Sequence, residues 1–419
     1  MATVATRTTT VSSQPLVGQP TLKSLPQSQR VLLLHGKGQQ YQVHADGDVP
    51  QLRYGDLLVE IHAIGLNPID WKSAAFGFGL PQLPSLNRRE FVGKIVASEV
   101  EEECALKPGE WVLAVSTDYR DFRKAAFQEF AIVCCYNAVR IPCHIDPFRV
   151  ASIGVAYVAA GLALGVCLGV LFTKESNRRP FNLLDVARKY TEGVSEDVAP
   201  EIYQGIPLES RPQPGDWILV YGASSITAQV AIQLAKMSGL RVVGVANLDK
   251  HRRLLESLRT DHLIDRTDLD HAKTEITSLF PGSLRFAIDT VGGETASWCQ
   301  GVLAAQHSQH AHGSSHLVAL TGKPKTACPS VRVHSVPIKL FHANRKVGGH
   351  LSKWLHELLD GGKLHLPEVE YVDGGLDAVN SALDRLKTGS ISGRRLVVTV
   401  KQPVDMSGED PALQSQLAG

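Results

Sequence analysis

The stretch WILVYGASSITAQVAIQLAKMS, residues 217–238, decides how the rest of the chain is read. WILVY (217–221) is a short apolar run of the kind that is buried in a parallel sheet. Gly222 turns the chain, and a helix is expected from about Ile226 to Ser238. Downstream the rhythm repeats. RVVGVA (241–246) is a strand, a helix follows around 249–258, and His262 to Ile264 leads to Asp265. RFAID (285–289), a helix from about Glu294 and a strand from His316 to Leu320 complete the alternation. This βαβαβ order predicts a parallel, doubly wound α/β sheet.

A strand, a tight turn and a helix N-terminus form an anion site, because unpaired N–H groups and the helix dipole face the ligand. The turn here is Gly222-Ala223-Ser224-Ser225-Ile226-Thr227-Ala228. Of the three-glycine dinucleotide fingerprint only Gly222 stands, with Ser225 and Ala228 at the later small positions. Small residues still admit a pyrophosphate, and the hydroxyls of Ser224, Ser225 and Thr227 can bond it. The end of the second strand selects the cofactor: an acid there holds a ribose 2′-OH, whereas cations accept a 2′-phosphate. Here the strand ends in Ala246-Asn247, and Lys250, His251, Arg252 and Arg253 follow. Asp249 reads as the N-cap of the next helix. NADPH is therefore expected over NADH, with Asn247, Lys250 and Arg252 toward its 2′-phosphate. Arg266, Thr290, Val291 and Thr321 complete the expected cofactor set.

Upstream the pattern changes. VLLLHG (31–36), YQVHA (41–45), the period-two run DLLVEIHAI (56–64), GKIVASEV (93–100) and WVLAVS (111–116) read as short strands. FQEFAIVCCYNAVRIP (127–142) adds two more, and Gly65-Leu66-Asn67-Pro68 and Lys107-Pro108-Gly109-Glu110 are turns. Such a series argues for a small barrel-like domain. Near the C-terminus a helix at 351–360, a strand at 368–372, a helix at 376–387 and the strand Arg395 to Val400 are expected, the last pairing back with the N-terminal domain. Residues 173–213 read as an insertion, 1–29 as a disordered polar leader and 402–419 as a frayed tail.

Charge and composition exclude several classes. Lys plus Arg is 43 and Asp plus Glu 42, a net of +1 that lacks the basic footprint of a nucleic-acid binder. The seven cysteines are scattered, with no disulfide framework or zinc ribbon, so a reducing compartment, the cytoplasm, is expected. Residues 1–45 contain no acid, which admits a transit peptide, but Pro15, Pro20 and Pro26 would interrupt its helix. Val150 to Phe172 is 23 residues without a charge, above the ~18 that suggest a membrane span. Gly154, Gly161, Gly165 and Gly169 favour a helix pressed between protein layers at a domain junction instead.

The chain resembles the medium-chain dehydrogenase/reductase superfamily, in its zinc-free, quinone-oxidoreductase-like branch. The residues that carry this are Asn67-Pro68-Ile69-Asp70-Trp71-Lys72, Glu90-Phe91-Val92-Gly93, Pro108-Gly109-Glu110-Trp111-Val112 and Phe127-Gln128-Glu129-Phe130-Ala131, followed by Gly222 to Ala228. Asp289-Thr290-Val291-Gly292 and Ser392-Gly393-Arg394-Arg395-Leu396-Val397-Val398 complete the order. Within that branch GASSITA and SGRRLVV look most like fungal trans-acting enoyl reductases, which serve polyketide synthases lacking a working reductase domain. The resemblance implies a GroES-like catalytic domain (30–165 with 350–401) around a Rossmann NADPH-binding domain (166–349). It also implies a polyketide synthase's carrier-tethered acyl group as substrate, and a monomer.

Where zinc-dependent relatives carry Cys and Gly-His-Glu, this chain has Asn67 and Arg89-Glu90-Phe91, so no zinc is expected. His307, His310, His312 and His316 read as a surface loop rather than a metal site. Without a metal, reduction of an activated double bond needs a donor to the carbonyl oxygen and a proton for the α-carbon. By resemblance Lys72 supplies the cation or is only a surface lysine, Asn67 orients the cofactor or braces the turn, and Asp70 holds either of them or caps the turn. Ala159 replaces a Thr and Arg89 a Gly of the relatives, and no Tyr occurs in SAAFGFGLP (73–81) as a proton donor. Phe76 and Phe78 line an acyl channel or fill core. The alternatives are a free-standing quinone or enone reductase and a silent cofactor-binding partner of a synthase.

Overall fold

The computed structural model describes residues 25–87, 89–101, 103–172, 180–307 and 314–401. Most of the expected leader, the tail, part of the insertion, and His310 and His312 lie outside them. Eight strands come from the first 140 residues: β1 Ser28–Leu34, β2 Gln42–Asp48, β3 Asp56–Gly65, β4 Ser85–Leu86, β5 Glu90–Glu99, β6 Trp111–Val115, β7 Phe130–Cys134 and β8 Ala138–Arg140. A short ribbon pairs β9 Leu171–Phe172, just before the expected insertion, with β10 Phe181–Asn182 inside it. The parallel set is β11 Trp217–Tyr221, β12 Arg241–Ala246, β13 His262–Asp265, β14 Leu284–Asp289, β15 Ser315–Ala319 and β16 Val331–His334. The last two are β17 Glu368–Val372 and β18 Arg394–Thr399.

The parallel strands run in the order β13-β12-β11-β14-β15-β16, so the apolar run at 217–221 is central and covered on both faces. This is the doubly wound sheet that the alternation predicts. Two of its parts are absent from the sequence reading: β16 and the helix Leu269–Leu279. The other large sheet has the order β17-β18-β3-β5-β6-β8, with β7 also on β3. β18 pairs antiparallel with β3, Val397 opposite Gly65 and Val398 opposite Ile64. β3 is not half-solvated as its alternation suggests. Leu57, Val59 and Ile61 enter one core, Leu58 another and Ala63 a third, so nearly every position is buried.

The uncharged run at 150–172 is buried but is not one helix. Helix Pro147–Val150 stops, a second helix spans Gly154–Leu162, a π-turn covers Ala163–Cys167, and β9 follows. No helix among the described residues is long and apolar enough to cross a membrane. Close packing explains the glycines: a Cβ on Gly154 would come within 2.7 Å of Val115, one on Gly161 within 2.8 Å of Leu351, one on Gly165 within 2.6 Å of Phe172. Opposite this segment, helix Arg345–Asp360 is longer than expected and packs Trp354 against Tyr157, Phe172 and Phe181. Burying each such aromatic stabilises by roughly 2–3 kcal/mol.

Two further expectations are corrected. Cys104 and Cys135 form a disulfide, because the turn before β6 and the end of β7 bring residues 31 apart in sequence together. His316 is not in a surface loop: it lies wholly buried in β15, 3.0 Å from His334, which contacts Glu201 at 2.8 Å. Burial, with His334 beside it, pulls its pKa down to about 3, so its ring is neutral.

Candidate active site

Gly222 ends β11 with φ +72°, and a Cβ there would sit 2.5 Å from Val291 Cγ2 and 2.6 Å from Thr290 Oγ1. Only glycine takes both that backbone and that approach. Ser225 then closes the turn. Its N–H donates to the Gly222 carbonyl (2.8 Å), its Oγ accepts the Ala228 N–H (3.2 Å), and its hydroxyl donates to Thr290 (2.9 Å). Thr290 in turn donates to the Tyr221 or Gly222 carbonyl. Ser225 and Thr290 therefore brace the turn, while Ser224 and Thr227 keep part-exposed hydroxyls at the N-terminus of helix Ile226–Met237. Ala223, Ile226 and Ala228 are buried beneath it, whereas Val291 and Thr321 are at the surface. The helix N-terminus and the part-exposed hydroxyls suit a pyrophosphate in their chemistry.

The rim at the end of β12 carries the cations. Asn247, not Asp249, caps helix Leu248–Ser257, its Oδ1 accepting the Lys250 N–H at 3.1 Å; Asp249 falls in the first turn. The only acid at the end of β13, Asp265, accepts the Leu248 N–H (2.9 Å) and the Thr267 N–H (2.7 Å). Thr267 above all, with those N–H groups and Arg252, holds its carboxyl below the usual range. Lys250, Arg252 and Arg266 remain exposed around it. The C-terminal segment closes this end: Gln229 donates to the carbonyls of Ser224 and Gly393, and His251 contacts Ser392 at 2.9 Å.

Of the residues expected to be catalytic, Asn67 and Asp70 are buried. The Asp70 carboxylate accepts the Asn67 N–H at 2.5 Å, which starts helix Pro68–Phe76 with proline at its first position. Asn67 Nδ2 donates to Glu90 Oε1 (2.7 Å), and Glu90 Oε2 accepts the Val155 N–H (2.6 Å) at the start of the junction helix. Arg395, buried in β18, lies 3.6 Å from Glu90 and donates to the carbonyls of Ser152 and Leu66. Asn67 and Asp70 thus brace a turn, and Glu90 and Arg395, which sequence reasoning gave no role, lock it to the junction.

Lys72 is half-buried, its ammonium 5.7 Å from the Trp71 ring centre, with no ion pair among the described residues. Phe76 and Phe78 fill no core; they are 53% and 55% exposed, with rings 5.8 Å apart. Ala159 is buried in the junction helix. A cleft of about 420 Å3 opens between Leu80–Pro81, Thr117–Arg120 and Lys339–Ala343. Thr117 Oγ1 and His342 Nδ1, 2.7 Å apart, join two of its walls, and burial lowers the His342 pKa. Behind the Tyr119 wall lies a smaller recess that holds Arg89, Asp70, Asp118 and Asp121. No group of three or more His, Cys, Asp or Glu among the described residues is arranged to hold a metal.

The chain matches two family models: the alcohol dehydrogenase GroES-like domain over residues 53–142 and the zinc-binding dehydrogenase domain over residues 227–344. It is 25% identical to a trans-enoyl reductase of Aspergillus niger over 90% of this chain and 98% of that protein. A trans-enoyl reductase of Aspergillus sclerotiorum is 26% identical over 87% of this chain and 98% of its own. Among solved structures, a quinone oxidoreductase of Pseudomonas syringae superposes with TM-score 0.64 at 18% identity, covering 88% of this chain and 99% of that one. The CurK enoyl reductase gives 0.62 at 16% identity, over 89% and 99%. A mycobacterial protein solved with NADPH gives 0.62 at 18%, over 89% and 100%.

Proposed function

Starting from the medium-chain dehydrogenase/reductase superfamily, to which the chain belongs through both of its domains, we propose an NADPH-dependent enoyl reductase that works in trans on a polyketide synthase. Its substrates are α,β-unsaturated thioesters tethered to the synthase's carrier domain, and the protein acts as a zinc-free monomer.

The observation that carries the cofactor choice is the rim at Asn247. Its cations are exposed, while its one strand-end acid, Asp265, is already occupied by backbone N–H groups. That favours a 2′-phosphate over a ribose 2′-OH. Gly222 to Ala228 would hold the pyrophosphate, Lys250, Arg252 and Arg266 the 2′-phosphate, and Thr290, Val291 and Thr321 line the path toward the catalytic side. When bound, the dihydronicotinamide supplies hydride. Asn67 and Asp70 are positioning residues, and Lys72 offers a cation to the substrate oxygen. The near full-length match to trans-enoyl reductases supports the substrate class.

The test is NADPH oxidation with crotonyl-pantetheine beside a simple quinone. Turnover of the thioester and little of the quinone is expected. Turnover of the quinone alone would replace this reading with a free-standing quinone reductase, and light scattering at twice the chain mass would remove the monomer.

A further inference from the structure

Arg89 stands immediately before β5, and its guanidinium lies 3.8 Å over the Tyr119 ring. Among the described residues its side chain makes no ion pair and no hydrogen bond. The carboxylates in the same recess are committed elsewhere: Asp70 to the Asn67 N–H, Asp118 to Lys124 at 3.2 Å, Asp121 to Arg123 at 2.8 Å. A secluded cation without a counter-ion is costly to keep, and its usual justification is function. Burial draws its pKa down to about 10, which leaves it charged at neutral pH. The fork reaches the main cleft, since a Cβ on Gly79, one of that cleft's lining residues, would lie 3.1 Å from Arg89 Nη2.

We propose that Arg89 donates to the carbonyl oxygen of the substrate and meets the negative charge that builds there during reduction. This rests on the enoyl-reductase reading. In that reaction a bound dihydronicotinamide would supply the hydride that the β-carbon accepts, and would itself be left oxidised. The C=C π pair shifts through the carbonyl onto oxygen, and as the enolate collapses a solvent proton bonds to the α-carbon. Arg89 gives up no proton; it stabilises the oxyanion. A permanently anionic ligand fits less well, because three carboxylates already line the recess. A neutral carbonyl enters without that repulsion and gains only as charge develops, which is what raises turnover. Arg89 is also better placed than Lys72, since a cation acts more strongly where water is scarce.

The experiment compares wild type, Arg89→Met, Arg89→Lys and Arg89→Ala on crotonyl-pantetheine, with melting temperature and NADPH affinity measured for each. Arg89→Met is expected to lower kcat on the order of a hundredfold or more while NADPH affinity is kept. Arg89→Lys keeps part of the rate, and added guanidinium ion restores turnover to Arg89→Ala, which a purely structural role would not predict. Wild-type turnover by Arg89→Met overturns the assignment and leaves the enoyl reading standing. Should Arg89→Met fail to fold, absence of guanidinium rescue in a folded Arg89→Ala overturns it equally. A wild type inert toward the thioester overturns the enoyl reading, and this inference with it.

Discussion

Replacing Glu90 with glutamine changes one atom in an ionic contact that is buried on both sides. Its two oxygens accept Asn67 Nδ2 and the Val155 N–H, with Arg395 3.6 Å away. A glutamine presents one oxygen and one amide, so an N–H must face another donor, and Arg395 loses its counter-charge. Breaking a buried pair from one side costs ~3–5 kcal/mol. Arg395 keeps its bonds to the Ser152 and Leu66 carbonyls, which favours the low end. At roughly 2–4 °C per kcal/mol for a domain of this size, Tm falls by about 10 °C. Calorimetry measures it, and Glu90→Gln/Arg395→Met should recover part of the loss, because a neutral pair leaves no charge buried. A single variant melting within ~2 °C of wild type, inside the ordinary range of surface substitutions, would refute the view that this contact holds the turn to the junction.

Gly222→Ala places a Cβ against Val291 and Thr290 at positive φ, so NADPH affinity should fall at least tenfold by fluorescence titration while the fold is kept. NADPH should bind more tightly than NADH, and both high salt and Lys250→Gln/Arg252→Gln should narrow the gap; equal affinities in wild type would remove the 2′-phosphate assignment. Lys72→Met should lower kcat for the thioester with little change in NADPH binding, and by less than Arg89→Met; unchanged kcat would make Lys72 a surface residue. His62, then Lys401, lower the Glu60 pKa from 4.5 to about 2. Its contribution is therefore complete above pH 4.5 and lost as pH falls toward 2, so Tm of Glu60→Gln should decline less steeply there than wild type.

The doubly wound sheet was legible because WILVY and RVVGVA are continuous apolar runs, each followed by a turn and a helix. β16 was not, since VRVH is short and its one buried histidine looks polar in sequence. The break in the junction segment was hidden by its uniform composition: alanine and glycine satisfy a helix or a π-turn equally, and packing against Phe172 and Leu183 decides. The phosphate turn could be located from Gly222 and its hydroxyl residues, but which hydroxyls brace it depends on Thr290, 65 residues further on. Asn247 as cap was missed because Asp249 is an equally good capping type, and only the chain direction leaving β12 selects between them. Glu90, Arg395 and Arg89 gave no local signal beyond a charge beside a strand; their roles arise from partners far away in sequence, or from the lack of one.

β18 sits between β17 and β3, so the sheet begun at Asp56 receives an interior strand that ends at Thr399. The parallel sheet, by contrast, has all of its strands once His334 is made. Synthesis runs from the N-terminus and domains fold as units. The parallel sheet can therefore assemble while the chain is still being translated, whereas the sheet built on β3 must wait for β18, with the Ala63–Gly65 end of the edge that β7 shares unpaired until then. A nonsense or frameshift lesion between about residues 340 and 394 would then leave a half-built protein with an intact parallel sheet and an open, aggregation-prone end of the β3 edge.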